Sequence, residues 1–391
     1  MKNNLICKER FLYSSPRGSV PFDAKRLESF LPLGCPGGGE EEVSQITYHA
    51  YLEAIRQFIH DNRDQFVEVL AGQGLKDLMK VQSIDFISEK HGADYHPAKI
   101  KVRTARSSYS FAVNVALTER GKRRIRQDFD MLTLFGERFP AKYIPKVYFL
   151  SKVNLMVNEK DVVMPMFMGE WLEGYHEFHL SVDPETSATG IILWDLTRGY
   201  RIISAEAEAE IYRQAALILT YYYDVTTFAE VYPWHHAAGD FVSKLSERTV
   251  DVKLITLRQY APRIVFPTRS LDKRLDALLV FLANLTIRTR LDRLDGVGKV
   301  AWAEDRAVDA AIRGFLAGMK AKVTAGMCDK ILPTQFLVAA KRMQLVDLAQ
   351  IFQTIAESYD EDAPDRLVIL EHLVDHVFQV YRQFQELPSS V

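Results

Sequence analysis

The residues best suited to chemistry in this chain are gathered in Tyr232-Pro233-Trp234-His235-His236-Ala237-Ala238-Gly239-Asp240-Phe241. Two imidazoles and a carboxylate on one short loop supply the groups used for proton transfer, for contacting a substrate or for holding a metal. The loop follows a long apolar helical stretch, Ala205 to Tyr223, and leads back into strand-like sequence. Loops held between rigid elements are where chains commonly place such groups. Adjacent histidines rarely both face one ion, and no distant third ligand is identifiable, so His235 and His236 read as hydrogen-bonded or substrate-contacting groups and no metal site is expected.

Other constellations are plainer. His176 and His179, and His372 and His376, have spacings that would place each pair on one helical face, without the adjacent Glu of a His-Glu-x-x-His site. Arg120-Gly121-Lys122-Arg123-Arg124-Ile125-Arg126 could meet an anionic surface, but reads as the solvated side of a helix whose buried stripe includes Ile125, Phe129 and Phe135. Asp128 and Asp130 on that helix read as solvated acids. Asp295-Gly296-Val297-Gly298-Lys299 lacks the full phosphate-loop pattern and is expected to be a turn between helices. No Gly-x-Ser-x-Gly elbow supports a hydrolase triad.

These groups need a scaffold, and 391 residues can build a sizeable core in two domains or lobes. With 48% hydrophobic and 26% charged residues and a net charge of -2, the chain is neither disordered nor broadly cationic, so a nucleic-acid partner is not expected. Three cysteines, Cys7, Cys35 and Cys328, fit neither a secreted disulfide framework nor a zinc site. The first ten residues carry no apolar leader, and no run approaches the roughly 18 apolar residues of a membrane span. A cytoplasmic protein is the expectation.

Residues 1 to about 45 are rich in Pro and Gly, including Gly37 to Gly39 followed by three glutamates, and read as a loop-rich leader. Ile46 to Leu70 has helical spacing. Val81–Ile87, Ala98–Val102 and Tyr109–Leu117 alternate or run apolar as strands of an antiparallel meander. A helix after Gly121 precedes two further strands, Ile144–Leu150 and Val162–Phe167. A hairpin is expected around Arg198-Gly199. Beyond Ala205 the chain is mostly helical, with short strands at Phe241-Val242 and Val252–Ile255, and helices over Leu271–Leu285, Arg306–Met319, Gln335–Ser358 and Asp365–Gln385.

The order of three strands, one helix, two strands and a helical half resembles the protein-kinase-like fold, in its aminoglycoside phosphotransferase and choline kinase branch, over residues 76 to 390. Gly239-Asp240 falls where that family has His-Gly-Asp, and Val252-Lys253-Leu254-Ile255-Thr256 resembles the strand that ends in a magnesium-binding Asp. The resemblance implies an α+β, two-lobe fold: a leader and packing helix over 1–75, an antiparallel five-stranded N-lobe over 76–170 and a mostly helical C-lobe over 171–391. It implies that Asp240 orients or deprotonates an acceptor hydroxyl, with His235, His236 and Arg258 at the substrate and Lys101, Asn114 and Thr256 at the nucleotide positions.

The chain departs from the family at several of these positions. Ala238 replaces the His, Asn114 stands where the strand Lys is expected, and Thr256 stands in place of the Asp. Lys99, Lys101 or Arg103 could substitute for the missing Lys. The loop Ser88–Pro97 has one glycine where a phosphate-covering loop has several. Two functions follow: a pseudokinase-like protein that binds a small ligand or a protein partner, or an active phosphotransferase that uses ATP and magnesium on a hydroxyl acceptor.

Overall fold

The computed structural model describes residues 7–32, 46–89, 95–157, 159–183, 187–236, 239–247, 249–266, 268 and 270–387. The glycine run 37–39, Cys35, the loop residues 90–94 and Ala238 lie outside the described residues. The chain divides into two compact units.

The first unit comprises residues 1–138, 145–173 and 196–199. In chain order it holds β1 (Lys8–Ser15), β2 (Gly18–Pro21), α1 (Ala24–Leu27), α2 (Tyr48–Asp61), α3 (Arg63–Gly72), β3 (Val81–Ser88), β4 (His96–Thr104), β5 (Ser108–Val115), α4 (Glu119–Arg138), β6 (Val147–Val157) and β7 (Lys160–Glu170). Its strands form one seven-stranded sheet in the order β2-β1-β3-β4-β5-β7-β6.

Five antiparallel strands were expected, and the leader supplies two more. β1 runs parallel to β3, with Arg10 opposite Asp85. Asp85 is fully buried and accepts from Arg10 Nε at 2.7 Å and Nη2 at 2.8 Å, and from Arg103 Nε at 2.7 Å. Two guanidinium groups thus satisfy one buried carboxylate, which is the condition for tolerating its charge in the sheet.

β4 shows strict alternation: Ala98, Ile100 and Val102 are buried while Lys99, Lys101 and Arg103 keep partial exposure. The inward face meets α2, whose Tyr51, Leu52, Ile55, Phe58 and Ile59 are all buried. Thr47 caps α2 by accepting from the Ala50 N–H at 3.2 Å. Phe58 stacks on Phe149 of β6 with ring centroids 5.2 Å apart. The single helix expected over Ile46–Leu70 is two, because Asn62 leaves helical geometry and turns its side-chain amide back to the Phe58 carbonyl at 2.8 Å. Asp128 of α4 is buried, not solvated, and accepts from the Tyr95 hydroxyl at 2.5 Å.

The second unit comprises 139–144, 174–195 and 200–391. It contains β8 (Phe178–Val182), β9 (Thr189–Leu193), β10 (Arg201–Ile202), α5 (Ala205–Tyr222), β11 (Ala229–Val231), β12 (Phe241–Leu245), β13 (Val250–Leu254), β14 (Tyr260–Pro262), α6 (Leu271–Arg290), β15 (Leu291–Arg293), β16 (Val300–Trp302), α7 (Arg306–Thr324), α8 (Leu332–Arg342), α9 (Leu345–Glu357) and α10 (Pro364–Glu386). β8, β9 and β10 form a three-stranded sheet, and β11–β14, β12–β13 and β15–β16 are antiparallel pairs.

α5 and α7 approach closely because α7 presents Gly314 and Gly318. A Cβ on Gly314 would stand 2.2 Å from the Arg213 carbonyl oxygen, and one on Gly318 would stand 2.7 Å from Thr220 Cβ. The C-terminal end of α5 is closed by Lys322, whose buried ammonium donates to the carbonyls of Tyr221 at 3.0 Å and Tyr223 at 2.5 Å.

Several sequence expectations change here. His179 lies in β8 and His176 in an isolated bridge to Ser243, so that pair shares no helix. Residues 295–299 form a turn between β15 and β16, not between helices. The helix expected over Gln335–Ser358 is divided into α8 and α9 at Met343 and Gln344, both in extended backbone. No helix among the described residues is long and apolar enough to cross a membrane.

Candidate functional site

Hairpin geometry explains the centre of the site. β12 and β13 pair with Phe241 opposite Leu254, so the residues flanking that pair, Asp240 and Ile255, also meet: the Ile255 N–H donates to the Asp240 carbonyl at 2.8 Å. Arg258 follows three residues later and reaches back. Its Nη1 donates to Asp240 Oδ2 at 2.5 Å, and the same oxygen accepts the His235 backbone N–H at 2.8 Å. Gly239 makes the approach possible, since it sits at φ +66 and its N–H closes a turn onto the His236 carbonyl at 2.9 Å.

Asp240 is completely buried, and its Oδ1 has no hydrogen-bond partner. Burial pushes its carboxyl above the ordinary carboxylate range, while the charge and hydrogen bond of Arg258 and the His235 N–H pull the other way. One oxygen is therefore committed to an internal ion pair and the other remains an open acceptor. This arrangement can accept a single hydrogen bond, but its negative charge is already matched.

The two histidines part company. His236 is buried among Phe178, Tyr212, Trp234 and Phe241, with ring centroids 5.5 to 5.9 Å away. Burial depresses its pKa to about 4, against the favourable charge of Asp292, so the ring is neutral at pH 7. His235 is depressed to about 3, by burial first and by Arg288 second. The 3.7 Å approach of its Nε2 to Asp365 is thus a contact of a neutral ring, not an ion pair.

Residues that the sequence did not single out complete the surroundings. Arg288 of α6 is buried and donates through Nε at 3.1 Å, and through Nη2, to the Trp234 carbonyl, and so fixes the start of the loop. Asp292 of β15 accepts from the Leu180 N–H at 2.8 Å and lies 3.5 Å from His179 Nδ1. Burial opposes a charge on His179, but Asp292 and Glu177 outweigh it and lift the imidazole to about 9. The signal for these cations was present in the sequence: Arg288 and Arg290 interrupt an otherwise apolar helical run, where an arginine must find buried acceptors.

Of the expected site residues, Asp240, Arg258 and the His235 backbone are brought together. Thr256, partly buried, lies one residue beyond the Ile255 contact. Lys101 and Asn114 belong to the first unit. Lys101 is opposite Ser110 in the sheet, and burial followed by the nearby Arg103 and Lys99 charges lowers its pKa. Asn114 stands between Pro97 of β4 and Phe167 of β7. Lys99, the alternative cation, is held by Glu173 at 2.8 and 3.0 Å over the Trp171 ring.

The donor set around Asp240 does not fit a magnesium ion, which is usually held through one or two carboxylates. Asp240 supplies one carboxylate, and that carboxylate is already paired with a cation. Among the described residues no group of three His, Cys, Asp or Glu side chains could hold a metal. The sequence matches no protein-family model and no curated protein.

Proposed function

We propose that this chain is a kinase-like protein in which the phosphoryl-transfer centre has been converted into a binding and structural element, making it a pseudokinase-like ligand- or partner-binding protein. The fold order supports the reading. In the first unit, β3, β4 and β5, then α4, then β6 and β7 follow the chain order of elements on which the kinase resemblance rests, in a sheet that also includes β1 and β2. In the second unit, Asp240 immediately precedes a β-hairpin, and Thr256 follows that hairpin.

The observation that carries the proposal is the Arg258–Asp240 pair. A base that must orient or deprotonate a hydroxyl works best when its negative charge is free to respond to the developing proton. Here a guanidinium already takes that charge on the more engaged oxygen. The active reading requires ATP and magnesium, and the sequence has Thr256 and Asn114 at the positions where the resembled family has its Asp and its Lys.

The test is release of ADP from Mg-ATP with a panel of hydroxyl-bearing acceptors, run on the full chain and on Asp240→Asn. The expected result is no turnover above a protein-free control in either. Magnesium-dependent turnover by the wild type that disappears in Asp240→Asn would overturn the proposal in favour of an active small-molecule phosphotransferase.

A further inference from the structure

A concavity in the second unit uses none of the residues of the Asp240 cluster. It is a cavity of about 730 Å³ bounded by β11, the segment after β14, α6 and α9. That volume lies within the range of about 300–1,000 Å³ typical of small-molecule sites. Its walls are largely apolar and aromatic: Tyr223 packs against Phe281 with centroids 4.3 Å apart, and Phe228 meets Phe266 edge to face at 5.7 Å.

Phe228 has φ +64, an uncommon conformation for a bulky residue. A tight turn holds it there: its N–H donates to the Asp224 carbonyl at 2.7 Å, and Asp224 Oδ1 accepts from the N–H groups of Thr226 and Thr227 at 2.8 and 3.0 Å.

Two acceptors stand out against these walls. Asn284 is buried within α6, and its Oδ1 has no hydrogen-bond partner. Glu230 is buried in β11, and its nearest cation, Arg263, stands 3.7 Å away while lying over the Tyr232 ring at 4.1 Å. Asp347 also lines the cavity, as does Asp276, whose carboxylate is already held by Lys273 Nζ at 2.9 Å. A buried amide oxygen left without a donor and a loosely paired carboxylate both call for hydrogen-bond donors from a ligand.

We propose that this cavity binds a small amphipathic cation, a primary amine on an aryl or alkyl body, whose ammonium donates to Glu230 and Asn284 Oδ1 and whose apolar part lies among Tyr223, Phe228 and Phe281. The site stands independently of whether Asp240 supports phosphoryl transfer, because ATP turnover and occupation of this cavity are read by separate assays.

Burial raises the Glu230 carboxyl to about 7, with Arg263 and Arg288 opposing. Asp276 of α6 with its partner Lys273, Asp347 of α9 and the Tyr223 hydroxyl are the other titratable groups around the cavity. Ionisation of Glu230 between pH 6 and pH 8 therefore strengthens the site for a cation by about tenfold, the ratio of ionised fractions on either side of such a pKa.

The probe is 4-phenylbutylamine, compared with 4-phenylbutanol and 4-phenylbutyrate by isothermal titration against the full chain at pH 6 and pH 8. The amine is expected to bind about tenfold more tightly at pH 8, the alcohol to bind more weakly and equally at both values, and the carboxylate to bind worst at pH 8. Ile351→Trp, which occupies part of the cavity, should weaken binding of the amine and the alcohol alike. Glu230→Gln keeps the shape of the wall and should remove the pH dependence of the amine while leaving the alcohol unchanged. Absence of amine binding at millimolar concentration, equal binding of the carboxylate at pH 8, or a pH dependence that survives Glu230→Gln would each overturn the proposal.

Discussion

Replacing Arg258 with methionine tests the central ion pair directly. Asp240 is 0% exposed and the Arg258 side chain 16% exposed, so this is a buried pair in which removal of one partner leaves an uncompensated charge. Breaking such pairs costs about 3–5 kcal/mol, whereas replacing both partners is often close to neutral. Arg258→Met is therefore expected to destabilise by about 3 kcal/mol or more at pH 8, and Arg258→Met/Asp240→Asn to recover most of that loss. At roughly 2–4 °C per kcal/mol for a domain of this size, the single variant should melt on the order of 10 °C lower.

The pH dependence sharpens the test. Burial already raises the carboxyl of Asp240, and losing Arg258 removes the main opposing influence. The folded variant then binds a proton at pH values where the unfolded chain has released it, so stability falls as pH rises from the unfolded towards the folded pKa. The loss at pH 5 should be smaller than at pH 8. Urea denaturation of the four proteins of the double-mutant cycle at both pH values gives the coupling energy. A cost below about 1 kcal/mol at pH 8, or an equal cost at both pH values, would refute a structural ion pair.

Two further outcomes follow from the geometry. The folded pKa of about 9 at His179 lies above its unfolded value, so its contribution is complete below about pH 6.5 and is lost as pH rises through 9. Chemical denaturation of His179→Gln should therefore show a deficit on the order of 3 kcal/mol at pH 6 that largely disappears at pH 9.5. Gly314→Ala should destabilise despite the gain in helix propensity, because the new methyl would meet the Arg213 carbonyl at 2.2 Å; overpacking of this kind costs about 1–3 kcal/mol, and a rise in melting temperature would show that α5 and α7 can separate freely.

Local signals made much of the fold legible. The alternation of Ala98–Val102 and Tyr109–Val115 gave β4 and β5, and the apolar runs after Ala205 and Leu271 gave α5 and α6. What escaped depends on distant partners. β1 joins the sheet through a parallel pairing 75 residues away along the chain, and Asp85, which ties it there, looks in the sequence like any strand-surface acid. Asp128 reads as solvated until Tyr95 is seen to reach it. Glu230 and Asn284 carry no motif, since their importance comes only from sharing one apolar cavity.

The Arg258 contact lies between these extremes, because it follows from the register of a hairpin visible in the sequence. Once Phe241 faces Leu254, Asp240 must lie beside Ile255, and a cation three residues onward is within reach. The pairing fixes Asp240 beside Ile255, and with Arg258 bound to its Oδ2 at 2.5 Å the one buried carboxylate has its charge matched by one arginine. A metal entering beside Asp240 would have to displace Arg258 and leave that largely buried guanidinium without its partner.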